Sequence, residues 1–227
     1  MKKLYIIHGW TYIPEPWEEV IKELKSYKIN AVLLRVPGLG TQSDEVYTID
    51  DYAEWAAKEI PKGSIALGHS NGGRILLNML EQKGSNYLSG LILLDSAGIY
   101  EPSLKNSLMR KMSKAFAPLR KSKLARKAVY KVLGVHDYND APDNMKKTMT
   151  NMLDSDKKLD LSKITTKTRI VWGTDDQMTP LRQGKKMHEL LSNSSLTVKE
   201  GWRHSHYLKD IKETAAEIAA QYKELEK

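Results

Sequence analysis

Six short apolar runs, each separated from the next by a stretch with helical spacing, limit this chain to few folds. They lie at residues 3–7, 31–36, 64–67, 91–94, 168–172 and 195–198, and Gly, Pro, Ser or Asp bound them. Each is four to six residues long and nearly continuous in apolar character. Runs of that kind predict strands buried on both faces, hence a mostly parallel sheet covered by helices. Between them, residues 17–27 place Trp17, Val20, Ile21 and Leu24 on one helical face. Residues 49–60, 71–82, 181–191 and 207–225 read as further helices, the first of these opening on Asp50 and Asp51, which suit a helix N-terminus. The expected fold class is α/β, with a central sheet flanked by helices and right-handed crossovers.

The alternation stops between the fourth and fifth runs. Residues 99–164 contain no convincing strand; Leu104, Leu108, Met112 and Ala115 recur at helical spacing, as do Leu124, Ala128 and Val129 beyond Pro118. The spacing predicts a helical insertion there, with the core formed by residues 1–98 and 165–227. The net charge of +8 also has its origin in this region. Residues 105–131 hold ten Lys or Arg and no acid, and the other 200 residues sum to −2. Basicity is therefore a property of one segment.

The pentapeptide Gly68-His69-Ser70-Asn71-Gly72, followed by Gly73, lies between the third strand and the helix after it. A serine placed there must occupy a sharp, strained turn that exposes its hydroxyl, and the glycines allow strand and helix to approach. The Asn71 N–H sits at a helix N-terminus, where it can stabilise an oxyanion. The pattern marks Ser70 as a candidate nucleophile. The chain has no cysteine, which excludes a thiol nucleophile and a Cys-based zinc site.

A serine hydroxyl needs a base, usually a histidine oriented by a carboxylate. Downstream of Ser70 the histidines are His136, His188, His204 and His206. His188 falls inside a helix and His136 inside the insertion. His204 follows the last strand by a short loop, and His206 competes with it. For the acid, Asp175 and Asp176 both follow the strand at 168–172, and Asp95 ends the strand at 91–94. Spacing leaves these alternatives open.

At this point the chain resembles the α/β-hydrolase superfamily, in particular small bacterial hydrolases with a helical cap, over nearly its whole length. His8-Gly9-Trp10 is similar to the family's HG-x oxyanion motif. Val36-Pro37-Gly38-Leu39-Gly40 with Ser43 is similar to its P-G-x-G-x-S loop, and Gly68–Gly72 matches its nucleophile elbow. Trp172-Gly173-Thr174-Asp175-Asp176 with Pro180 is similar to its W-G-x-x-D-x-x-x-P acid motif. The resemblance implies Asp176 as the acid and His204, with Leu208 in step, as the base. It implies Trp10 and Asn71 backbone N–H groups as the oxyanion hole and residues 99–164 as a cap. Residues 137–141 and 160–164 resemble the family's cap-to-core region. Two departures stand out: Arg203 occupies the usual glycine position before the base, and the chain opens at the family's third strand, an N-terminally trimmed version.

The expectation is a serine hydrolase that cleaves an ester-like acyl substrate through an acyl-enzyme on Ser70, without metal or cofactor. The basic segment suits an anionic or lipid-like substrate and peripheral membrane contact, with no specific nucleic acid. The alternative is a binding protein that uses this segment on membranes or nucleic acids. Only four consecutive apolar residues precede His8, fewer than the roughly seven of a secretory segment, and no run reaches the roughly 18 of a membrane span. A cytoplasmic protein is expected.

Overall fold

A computed structural model describes residues 2–101 and 142–227. Within them the elements run β1 (Leu4–Ile7), α1 (Pro16–Ser26), β2 (Ala31–Leu34), α2 (Ile49–Glu59), β3 (Ile65–His69), α3 (Asn71–Lys83) and β4 (Gly90–Leu94). After residues 102–141 come α4 (Asp143–Ser155), a 3₁₀ turn (Leu161–Lys163), β5 (Thr168–Gly173), α5 (Leu181–Leu190), β6 (Ser194–Lys199), a second 3₁₀ turn (His206–Leu208) and α6 (Ile211–Glu226). The strands form one sheet in the order β2-β1-β3-β4-β5-β6, and every pair is parallel. Parallel pairing requires a crossover between neighbours, which the intervening helices provide.

Side-chain alternation along the strands sorts the core into two layers. Leu91 and Leu93 of β4 face one cluster, with Tyr52 and Ala56 of α2, Ile75 and Leu76 of α3 and Met187 of α5. Ile92 and Leu94 face the other, with Trp17, Val20 and Leu24 of α1 and Ile218, Ala219 and Tyr222 of α6. The central strands β3 and β4 are buried throughout. The edge strands differ from the expectation of burial on both faces. Residues 31–33 of β2 are half-buried, and in β6 Val198 is exposed. An edge strand has a neighbour on one side only, and its apolar run is correspondingly interrupted, as in Ser194-Ser195-Leu196-Thr197.

The helix expected over 207–225 is two elements. The Asp210 side chain accepts the Glu213 N–H at 2.8 Å and starts α6 afresh, leaving residues 206–208 as a separate 3₁₀ turn. Of the expected helical insertion at 99–164, α4 and the first 3₁₀ turn are described, while the positions from Leu104 to Val129, His136 and residues 137–141 lie outside the described residues. Met145 and Met152 of α4, with Leu161 and Ile164, are buried in the same cluster as β4 and β5. Among the described residues no helix is long and apolar enough to cross a membrane.

The strand order has one topological consequence for function. The chain leaves β1 toward β2 on one side, then returns to place β3 on the other. Such a switch opens a crevice at the carboxyl ends of the two strands, where open α/β sheets bind ligands. The loop after β1 carries Gly9 and Trp10, and Ser70 follows β3 directly.

Candidate active site

Ser70 caps α3 with φ 52° and ψ −119°, a left-handed backbone that a residue with a Cβ adopts only under strain. The surrounding hydrogen bonds impose it. The Ser70 N–H donates to the Leu94 carbonyl at 3.1 Å, and the Ser70 carbonyl accepts from Gly73 at 3.0 Å and Ala97 at 2.9 Å. The helix that follows crosses β1 so closely that a Cβ on Gly72 would stand 2.1 Å from the Ile7 carbonyl oxygen. Only glycine fits there. The loop after β1 comes equally near: a Cβ on Gly9 would stand 3.0 Å from the Ser70 Cβ. Trp10 is half-buried and packs against the core beside it.

His204 Nε2 lies 2.9 Å from Ser70 Oγ, and His204 Nδ1 donates to Asp176 Oδ2 at 2.8 Å. Asp176 is buried, and its other oxygen accepts the N–H groups of Met178 at 2.7 Å and Thr179 at 2.9 Å. The Thr179 hydroxyl reaches Asp176 Oδ2 at 2.8 Å, and the Trp172 indole N–H donates to the Thr179 carbonyl at 2.7 Å. The acid is thus anchored through a turn that a buried tryptophan holds in place.

The three groups hold each other's charges. Burial alone would raise the Asp176 pKa. The facing His204, together with hydrogen bonds from His204 and Thr179, instead holds it below the usual carboxylate range. Burial likewise opposes charge on His204, yet the charge and hydrogen bond of Asp176, with Asp95 adding to them, lift its pKa above the ordinary histidine value. Asp95 is buried with its Oδ1 on the Gly173 N–H at 2.9 Å; burial and then the Asp176 charge push its pKa up. The two neighbouring carboxylates thus shift in opposite directions, Asp95 upward and Asp176 downward.

The sequence candidates separate accordingly. Ser70, His204 and Asp176 meet, and Asn71 follows as the first residue of α3, where a helix leaves its N–H without an internal acceptor. Asp175 is exposed, beside the Thr174 hydroxyl at 3.2 Å. His206 is buried, stacked on Trp202 with 4.1 Å between ring centroids, and its Nε2 lies 2.9 Å from Glu213 Oε2. His188 is on α5, with its Nδ1 2.8 Å from Ser194 Oγ. With Arg203 in the usual glycine position, the loop still delivers His204 to hydrogen-bonding distance of both partners.

Several residues have contacts that the sequence reading does not assign. His8 is buried, its Nδ1 donates to the Gly9 carbonyl at 2.8 Å, and its Nε2 accepts the Val36 N–H at 3.1 Å. Burial lowers its pKa to about 4, so it is a neutral clamp between the loops after β1 and β2. Arg74 donates from Nε and Nη2 to both oxygens of Asp156 at 2.7 and 2.8 Å, and from Nη1 to Asn71 Oδ1 at 2.7 Å. Thr179 carried a readable signal, since an Asp three residues before a Thr is a common turn pairing. His69 sits inside the pentapeptide, but its partner is 135 residues away.

At the same end of the sheet, a cleft of about 650 Å³ opens between the loops after β1 and β2. Tyr12, Leu39, Thr41, Ser43, Pro142 and Met145 are among its lining residues.

Comparison with known proteins bears on the family and the fold. A family model described as "Alpha/beta hydrolase family" matches residues 4–220. Over 236 residues, 95% of this chain and 91% of the relative, the chain is 25% identical to a pimeloyl-[acyl-carrier protein] methyl ester esterase of Neisseria meningitidis serogroup C. Among solved structures, an esterase from Exiguobacterium antarcticum superposes with a TM-score of 0.74 at 21% identity, covering 98% of this chain and 92% of that one. A bromoperoxidase from Bacillus anthracis superposes with a TM-score of 0.71 at 17% identity over 98% and 92% of the two chains. At such identities the two structures share the fold with this chain.

Proposed function

The chain belongs to the alpha/beta hydrolase family, and on that premise we propose that it hydrolyses carboxylic esters through an acyl-enzyme on Ser70. The observation that carries this reading is the 2.9 Å approach of His204 Nε2 to a serine hydroxyl on a strained turn, with buried Asp176 behind the imidazole. The Neisseria relative, an ester hydrolase by name, supports the ester class.

In this mechanism His204 Nε2 takes the Ser70 proton as Oγ bonds to the carbonyl carbon. The negative charge that develops on the carbonyl oxygen is met by the Asn71 and Trp10 backbone N–H groups. His204 then gives its proton to the departing alkoxide, and the alcohol leaves. Water enters, His204 takes its proton, and the hydroxide attacks the acyl-enzyme; the carboxylic acid leaves as Ser70 recovers its hydrogen. Asp176 stays ionised throughout and stabilises the imidazolium by its charge. Every step is carried by groups of this chain. We assign the cleft beside Tyr12 to the acyl group and residues 99–164 to its cap; Pro142 and Met145, which line the cleft, support that assignment.

Two results are expected from steady-state kinetics on a short acyl ester. The acid limb of kcat/KM has its midpoint above about 6.5, because His204 works only unprotonated and Asp176 raises its pKa. Activity is therefore lost as pH falls through that raised value. Asp176→Asn lowers kcat by about four orders of magnitude, whereas Asp175→Asn at the exposed neighbour changes it less than about twofold. Equal losses in the two variants would remove Asp176 from its role. Quenching a turnover reaction and weighing the intact protein tests the intermediate: an acyl mass on the wild-type chain is expected, and hydrolysis with no such adduct in a burst experiment contradicts it.

A further inference from the structure

We propose that His69, beside the nucleophile in sequence, is a positioning residue that holds the backbone of the base His204 through its Nε2–H. The proposal rests on the reading of Ser70 and His204 given above.

His69 is the last residue of β3, and its ring turns toward the layer formed by α1 and α6. It lies 5.6 Å from the Trp17 ring, 5.3 Å from Tyr207 and 5.0 Å from His204, centroid to centroid. A phenylalanine would satisfy those contacts. What it could not supply is the hydrogen bond from Nε2 to the His204 carbonyl oxygen, at 2.7 Å.

The loop that bears the base needs such an anchor. Residues 202–205 belong to neither helix nor strand. At its start the loop is tied through Trp202, whose carbonyl accepts the Asp175 N–H at 3.0 Å and whose indole N–H donates to Glu213 Oε1 at 2.9 Å. His69 ties it again at His204 itself. With the carbonyl fixed and Nδ1 fixed by Asp176, the imidazole is held at two separated points, and Nε2 is left facing Ser70.

The tautomer follows from the contact. A lone pair on Nε2 would face the carbonyl oxygen, so the proton sits on Nε2 and Nδ1 is bare. Among the described residues that buried Nδ1 has no hydrogen-bond partner, and a Cβ on Gly9 would stand 2.9 Å from it. His69 is neutral: burial and then the charge on His204 lower its pKa to about 3. Neutrality matters for turnover. His204 becomes an imidazolium when it takes the serine proton, and a second cation 5.0 Å away would oppose that step. A neutral donor anchors the loop without repelling the charge that forms.

The test compares three chains on a short acyl ester, with fluorophosphonate inactivation rate as a second readout. His69→Phe keeps an aromatic ring and removes the donor; His69→Gln can place an N–H near the Nε2 position. His69→Phe is expected to lower kcat about tenfold to a hundredfold, the scale of a misplaced catalytic group, and to slow fluorophosphonate inactivation by a similar factor. KM stays within about twofold, and His69→Gln recovers most of the loss. A wild-type kcat in His69→Phe, or equal losses in Phe and Gln, overturns the proposal. If His69→Phe does not fold, His69→Asn replaces it, since its amide reaches only the Nδ1 position; Gln should then exceed Asn by about tenfold, and equality overturns the proposal. Ser70→Ala separates the two levels. If that variant hydrolyses the ester like wild type, the nucleophile assignment fails; if it is inactive while His69→Phe is unaffected, only the positioning role fails.

Discussion

Ser70→Ala is expected to lower the turnover of a short acyl ester by about four to six orders of magnitude, with the fold intact. The substitution removes the proposed nucleophile, and among the described residues Ser70 Oγ is the hydroxyl that stands 2.9 Å from His204 Nε2. Binding should change little, because alanine keeps the Cβ and loses only the hydroxyl. The backbone strain at φ 52° is already borne by a residue with a Cβ, so alanine adds none. His204 is partly exposed, so its freed nitrogen can meet water. The proposed oxyanion donors survive, and a residual rate above the uncatalysed one is expected from them. Thermal melting alongside the kinetics separates lost chemistry from lost structure. A Ser70→Ala enzyme within tenfold of wild type would end the acyl-enzyme reading.

The largest loss of stability is expected at Asp156. Its carboxylate receives both arms of Arg74 at 2.7 and 2.8 Å, and both side chains are under a tenth exposed. Asp156→Ala strands a buried guanidinium, whose remaining side-chain partner among the described residues is Asn71, which costs about 3–5 kcal/mol. For a chain of this size that lowers Tm by roughly 6–20 °C. The pair itself need not stabilise the fold, because desolvation offsets much of the attraction between the two charges. The double variant Arg74→Met, Asp156→Leu should therefore recover most of the loss. A single variant that melts within about 2 °C of wild type would show that the charge reaches water. Because Arg74 also holds the Asn71 side chain, the same variants report on the turn that carries the proposed oxyanion donor.

Much of this architecture was legible in the chain because each element satisfies its needs locally. The apolar runs could be read as strands since the sheet is parallel and its central members are buried on both faces. The elbow could be read since its glycines are required by contacts within one strand–turn–helix unit and with the strand beside it. Edges were harder: Val198 belongs to an apolar-looking run but faces outward, and sequence does not show which strand lies last. The start of α6 was misplaced because the Asp210 cap, not apolar spacing, decides where that helix begins.

The site divides along the same line. Ser70 is visible from its neighbours, but its partners are distant in the chain. Spacing could not separate Asp175 from Asp176; the resemblance favoured Asp176, and the fold buries that residue against His204 and exposes its neighbour. Nor could it reject His206, which stacking on Trp202 and a partner in Glu213 turn away from the serine. The contacts of Arg74 with Asp156 and of His69 with His204 bridge 82 and 135 residues, and no local pattern announces them. They exist only once the crossovers have brought the strand ends together.

The central claim, that Ser70 is the nucleophile activated by His204, is tested most directly by covalent labelling with a fluorophosphonate, read by intact mass and peptide mapping. The expected result is one adduct per chain, on Ser70 in the peptide that carries Gly68–Gly72, absent in Ser70→Ala and slowed by several orders of magnitude in His204→Ala. An adduct on another residue, or none in a protein that still hydrolyses esters, would contradict it.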